Sequence, residues 1–304
     1  MTAIAANGIT IEYADYGAKD APVVFLIMGL GGQLTLWPIE LVDALVARGF
    51  RVIRYDNRDI GLSTKFDAAG VPELPALLMA AMSGQTPKVP YTLDDMAADG
   101  AALMDGLGIA KAHIVGASMG GMIAQVFAAR HAARTDSLAI IFSSNNRAAL
   151  PPPAPRALFS IIRGPKPGSP REVIIDNAVR VTRIIGSPAY PAPEDRIRTE
   201  AAASFDRSYY PVGIARQFGA ILGSGSLRRY DRRITAPTVV IHGMADKLMR
   251  PAGGRAIAET IPGARLVLFP GMGHELPEEL WDSIVAELGV TFAAGGFTAL
   301  DSAS

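Results

Sequence analysis

Residues 112–131 read AHIVGASMGGMIAQVFAARH. Ala112 to Gly116 is a short apolar run of strand type, and Met119 to His131 has the pattern of an amphipathic helix. Between them stands Gly116-Ala117-Ser118-Met119-Gly120, a G-x-S-x-G turn followed by Gly121. A strand that runs directly into a helix brings the two backbones together, so the positions two before and two after the serine must be small. Such a turn holds the serine in a strained conformation and exposes its hydroxyl at the sheet's edge. A glycine-rich turn with an incidental serine is the plainer reading. The strand on one side and the helix on the other favour a nucleophile.

Working outward, the chain alternates strand and helix signals. Upstream, Ile9, Ile11 and Tyr13 alternate with polar or small residues, as in a half-exposed edge strand. PVVFLIM (22–28) is a continuous apolar run, which suits a strand buried on both faces. IELVDALVAR after Pro38, stopped by Gly49, predicts a helix, and Phe50 to Tyr55 another strand. Leu77, Leu78, Met79 and Met82 predict a short apolar helix that packs in the core or under a cap, and Thr92 with Asp95 opens a helix to Leu107. Downstream, SLAIIF (137–142), PTVVIHG (237–243) and ARLVLFP (264–270) read as strands, with helices over 252–260 and 277–288. This pattern predicts an α/β fold with a doubly wound, mostly parallel sheet, whose chemistry lies in the loops after residues 28, 55, 116, 142, 242 and 270.

The alternation stops from 143 to 236, a stretch with four prolines between 151 and 155 and helix signals near 171–185 and 193–205. It is too long for a plain loop, and a helical cap inserted into a core of 1–142 and 237–290 is expected. Residues 291–304 are expected to form a mobile tail.

A serine hydroxyl needs a base, and the base needs an orienting group. Four histidines are available. His113 lies in the strand before the elbow and reads as structural. His131 ends the following helix, about 20 Å from Ser118 along it, where a cation would suit the helix dipole. His242 and His274 both stand at strand ends. The chain order serine, acid, histidine favours His274. On that order the acid is Asp246, because Ser143 to Asn146 contain no carboxylate and Glu275 is too close in sequence to hold the ring. Backbone N–H groups of Met119 and of Leu30, in Met28-Gly29-Leu30-Gly31-Gly32, are the expected oxyanion donors.

LIMGLGG, YDNRDIGLS, VGASMGGMIAQ, HGMADKLMRP and PGMGHELP together resemble the α/β-hydrolase superfamily over nearly the whole chain. MGLGGQLTLWP with VIRYDNRDIGLST resembles the aclacinomycin-methylesterase-like bacterial carboxylic-ester hydrolases. Met28 stands where many members of that superfamily have histidine, which removes a side-chain hydrogen bond but not the backbone donor. The resemblance implies that Asp56, Arg58 and Ser63 brace the oxyanion loop. It implies hydrolysis of small to medium apolar carboxylic esters through an acyl-enzyme. The same residues would serve a C–C bond hydrolase, lactonase or perhydrolase. A non-catalytic ligand sensor is disfavoured because no member of the set is missing. Epoxide hydrolases and haloalkane dehalogenases carry aspartate at the position of Ser118.

The 304 residues contain 29 Lys plus Arg against 29 Asp plus Glu and no cysteine. The balanced charge gives no basis for nucleic-acid binding, and the missing thiols exclude disulfides and cysteine–metal sites. No metal-ligand cluster and no G-x-G-x-x-G dinucleotide turn is visible, so no cofactor or metal is expected. No apolar run approaches the ~20 residues that span a bilayer. MTAIAANGITIEYADYG lacks the basic and apolar regions of a signal peptide. The expectation is a soluble cytoplasmic protein acting on a small-molecule ester, with oligomeric state left open.

Overall fold

In PVVFLIM, Phe25 and Ile27 point into one apolar layer while Val24 and Leu26 point into the other, and all four are sealed from solvent. A run that is apolar at every position therefore lies in a sheet covered on both faces. In the computed structural model, which describes residues 1–166 and 168–297, that sheet has eight strands. They are β1 Thr2–Ala6, β2 Ile9–Tyr16, β3 Val23–Ile27, β4 Arg51–Tyr55, β5 Ala112–Ala117, β6 Thr135–Ile141, β7 Thr238–Gly243 and β8 Arg265–Phe269. Their order is β1-β2-β4-β3-β5-β6-β7-β8. β2 pairs antiparallel with β1 and β4, and every other pairing is parallel.

The helices are α1 Ile39–Val46, α2 Leu74–Met82, α3 Leu93–Gly106, α4 Met119–Arg130, α5 Pro155–Ile162, α6 Arg171–Ile185, α7 Glu194–Arg207, α8 Pro211–Ser224, α9 Arg228–Asp231, α10 Pro251–Thr260 and α11 Trp281–Ala294. Leu41, Val42 and Leu45 of α1 and Ile284, Leu288 and Phe292 of α11 cover one face. Met96 and Leu103 of α3, Ile123 and Phe127 of α4 and Ile257 of α10 cover the other. Because β3 sits between β4 and β5, the chain leaves β3 toward one neighbour and reaches the other by a crossover. The loops after β3 and β5 thus open side by side at the carboxyl ends of the strands, where such sheets bind ligands.

Three sequence expectations change. The edge strand is β1 rather than β2: Asn7-Gly8, at φ 50° and 75°, turns the chain back. Asn-Gly between strands is a strong hairpin signal, but TAIAA itself has little strand character. Between β6 and β7 the chain forms α5 to α9, including α5 and α8, which the glycines and prolines around them obscured. Both begin with proline at the first turn, where its fixed φ fits a helix. At the C-terminus α11 starts four residues later than expected, after the Pro277 turn, and continues to Ala294. Thr291 and Phe292 are buried in it, so the stretch expected to be mobile from 291 is packed to the end of the helix. The remainder of that expectation, 298–304, lies outside the described residues. Among the described residues no helix is long and apolar enough to cross a membrane.

Candidate active site

Ser118 joins β5 to α4 at φ 55° and ψ −121°, a region that non-glycine residues avoid. The turn is held on every side. Ser118 N–H donates to Ile141 O (2.9 Å), and Ser143 Oγ donates to Ser118 O (2.6 Å). A Cβ at Gly116 would lie 2.2 Å from Gly120 O, and one at Gly120 would lie 2.0 Å from Ile27 O. Only hydrogen fits at either position, the physical content of the two motif glycines.

β7 and β8 bring the other groups. The loop after β7 carries Asp246, and the loop after β8 carries His274. The two loops are pressed together at Gly243, where a Cβ would meet Met272 O at 2.3 Å, and are joined by Ala245 N–H donating to Met272 O (2.9 Å). His274 Nδ1 lies 2.8 Å from Asp246 Oδ2, and His274 Nε2 lies 3.0 Å from Ser118 Oγ. With the proton on Nδ1 facing the carboxylate, Nε2 is left to accept from the serine hydroxyl. Asp246, 2% exposed, is aimed by two backbone donors, Leu248 N–H and Met249 N–H, each 2.8 Å from Oδ1. Ser118 and His274 stay partly accessible to solvent.

The two expected backbone donors lie on either side of Ser118 in the chain's fold. Helix α4 begins at Met119, so its N–H has no partner four residues back within the helix. Gly29 to Gly32 form a turn closed by Gly32 N–H to Gly29 O (3.1 Å). A Cβ on Gly29 would lie 2.9 Å from Ser118 Cβ, so this turn lies directly against the serine. Asn57 Nδ2 donates to Met28 O (2.9 Å), and Asp56 Oδ1 accepts Leu34 N–H (2.7 Å) while Oδ2 accepts Leu62 N–H (2.9 Å). Ser63 Oγ donates to Asp56 O (2.7 Å), and Arg58 pairs with Asp99 at 2.6 and 2.7 Å. Asp56, Arg58 and Ser63 are thus part of a buried loop packed behind the turn.

The remaining histidines are placed elsewhere. His113 is buried on Phe292, with ring centroids 4.4 Å apart, and burial pushes its pKa down to about 4. His131 packs on Phe127 beyond α4, and partial burial, then Arg134, lowers its pKa rather than favouring the charged form expected from the helix dipole. His242 is fully buried, with Nε2 2.7 Å from Met249 O and 3.6 Å from Asp246 Oδ2. Burial depresses its pKa against the opposing pull of the Met249 carbonyl and Asp246. It does not reach the serine in this arrangement. Glu275 accepts Ser187 N–H (2.6 Å) and so ties the His274 loop to the segment after α6.

Some neighbours of the site carry no local sequence signal. Phe142, at φ 36°, lays its ring 4.8 Å from that of His274. Gln217 of α8 reaches the Gly29–Gly32 turn from 186 positions away. A cavity of about 190 Å³ opens beside Gly31, lined mainly by Ile60, Ile174, Ala178, Phe205, Tyr209 and Ile214. Among the described residues no charged side chain lines it. No sequence rule pairs residues so far apart.

A family model described as the alpha/beta hydrolase fold matches residues 22–279. Rhodomycin D methylesterase of Streptomyces peucetius is 30% identical over 294 residues, which cover 88% of this chain and 90% of the relative. A bifunctional esterase/perhydrolase of Acinetobacter calcoaceticus is 24% identical over 296 residues, covering 93% and 95%. Among solved structures, the enol-lactonase from Burkholderia xenovorans LB400 superposes with a TM-score of 0.71 at 28% identity, covering 96% of this chain and 99% of that one.

Proposed function

Because this chain belongs to the α/β-hydrolase family, we propose that it is a serine hydrolase that cleaves carboxylic esters of small to medium apolar substrates. Ser118 Oγ attacks the ester carbonyl as His274 Nε2 takes its proton. Asp246 holds the ring through Nδ1–H and stabilises the imidazolium. The oxygen that gains charge is met by the N–H groups of Leu30 and Met119. The intermediate collapses, the C–O bond to the alcohol breaks, and His274 returns the proton to the leaving oxygen. Water, deprotonated by His274, then hydrolyses the acyl-enzyme.

The observation that carries this reading is the continuous chain Asp246 Oδ2 to His274 Nδ1 at 2.8 Å and His274 Nε2 to Ser118 Oγ at 3.0 Å. Three residues from three different strand ends meet at hydrogen-bond distance, as nucleophile activation demands. The helices between β6 and β7 act as the cap, and the cavity beneath them receives the apolar part of the substrate. Its uncharged wall favours neutral over ionic groups. Methyl esters are the first to test, since one relative is named a methylesterase.

A fluorophosphonate probe followed by peptide mapping tests the nucleophile. Ser118 should carry the adduct, Ser118→Ala should abolish both labelling and ester turnover, and activity that survives in the alanine variant would overturn the assignment. A lactone is an internal ester and opens by the same steps. The likeness to an enol-lactonase makes lactones the second class to assay.

A further inference from the structure

Gln217, 0% exposed, lies on α8, yet both of its polar ends are spent on the core. Its Oε1 accepts Gly31 N–H (3.0 Å), and its Nε2 donates to Arg58 O (2.8 Å). One side chain therefore joins the loop after β3 to the loop after β4. Resting on the catalytic reading above, we infer that Gln217 is a positioning residue for the oxyanion donor Leu30.

The turn geometry gives the reason. Gly29 to Gly32 is closed by Gly32 N–H to Gly29 O, with Gly31 at φ 69° in the third position. A four-residue turn with a left-handed glycine there is of type II, and it differs from type I mainly by a flip of the central peptide. The central peptide here is Leu30–Gly31. Its N–H is the group Gln217 holds. Without that acceptor the peptide is free to flip, changing ψ of Leu30 and φ of Gly31, immediately next to the Gly29–Leu30 peptide that carries the Leu30 N–H.

The holder is itself rigid. A Cβ at Gly213 would lie 2.1 Å from Asp59 O, so α8 sits as close to the loop after β4 as backbones allow. Ile214, one turn before Gln217 on the same helix face, packs over Gly31, 3.1 Å from where a Cβ would stand. Arg216 pairs with Asp59 beside it. The oxyanion turn is thus completed by the segment between β6 and β7 and not by the core alone.

Gln217→Met keeps the length of the side chain and removes both hydrogen bonds. Its kcat on a p-nitrophenyl ester should fall about 10- to 100-fold with KM little changed, as expected when a transition-state contact drifts. Affinity for phenylboronic acid, which forms a tetrahedral adduct with the serine, should fall in parallel. Gln217→Glu, when its carboxyl is protonated, can make both bonds again, so its kcat relative to wild type should rise as pH falls. A folded methionine variant with kcat within about twofold of wild type would overturn the inference, as would lost kcat with unchanged boronate affinity. Should the methionine variant not fold, a pH-independent ratio for Gln217→Glu would overturn it as well. Failure of the wild-type enzyme to label at Ser118 would remove the catalytic reading and this inference together, whereas normal labelling with unaffected variants removes only this one.

Discussion

Arg216 and Asp59 meet through two N–H···O contacts of 2.8 Å each, Nε to Oδ2 and Nη2 to Oδ1, with both side chains sealed from solvent. The pair fastens α8 to the loop after β4. Burial alone would raise the Asp59 pKa, but Arg216, the Phe66 N–H and the Tyr91 hydroxyl together hold it below the usual value. Arg216→Met leaves the carboxylate buried without its cation and should cost about 3–5 kcal/mol, read as a lower urea midpoint. The folded-state pKa is depressed, so the stabilisation is present above the ordinary carboxylate range and is lost as pH falls through the lower folded value. The variant should therefore lose part of the acid-side decline in stability that wild type shows, and an unchanged profile would discount the pair.

Asp231 behaves in the opposite sense. It is buried, receives Asn145 Nδ2 at 2.9 Å, and has no hydrogen-bond partner for Oδ1 among the described residues. Burial pushes its pKa up to about 7 against the weaker opposing effects of Asn145 and Arg228. The folded state thus binds a proton that the unfolded chain releases near pH 4. This contribution is complete below that pH and is lost as pH rises through about 7, with a limiting slope of ~1.4 kcal/mol per pH unit. Asp231→Asn should flatten the decline, so the variant should be more stable than wild type at pH 8. Urea midpoints between pH 4.5 and 8 decide it.

Strain at Ser118 predicts a trade between stability and chemistry. Its φ of 55° with ψ −121° suits glycine, and holding an L-residue there costs on the order of 1–3 kcal/mol. Ser118→Gly should be inactive yet more stable by ~1 kcal/mol, after allowing for the greater flexibility of unfolded glycine. Thermal melts of the glycine and alanine variants side by side test this, since alanine retains the strained Cβ.

His242 bears on Asp246 through the turn that both of them hold. Its Nε2–H donates to Met249 O, and the same turn supplies the N–H groups of Leu248 and Met249 to the Asp246 carboxylate. A Cβ at Gly254 would lie 2.5 Å from His242 Nδ1. Gly254→Ala should displace the ring, loosen the turn and lower kcat roughly tenfold with little effect on KM. Unaltered kcat in the folded variant would show that the turn tolerates the shift.

Local patterns carried much of the reading, and for a physical reason. A strand buried on both faces must be apolar throughout, so PVVFLIM and PTVVIHG announced themselves. A tight strand-to-helix turn excludes Cβ atoms at two positions, so Gly116 and Gly120 marked Ser118. The strand ends at Asp246 and His274 followed from the same alternation. β1 was hidden because three of its five residues are alanine, which carries little strand preference, although Asn7-Gly8 was a usable turn signal. Helices α5 and α8 were hidden because prolines and glycines flank and interrupt their patterns.

The sequence by itself determined the α/β alternation, the serine turn and the small set of residues proposed to activate it, because each is a short-range constraint on backbone or side-chain type. Tertiary structure alone fixed the contacts themselves: His274 on Ser118, Asp246 on His274, and Gln217 on the turn of Leu30. Those relations join residues 28 to 186 positions apart, and their geometry exists only once the strand order has fixed which loops are neighbours.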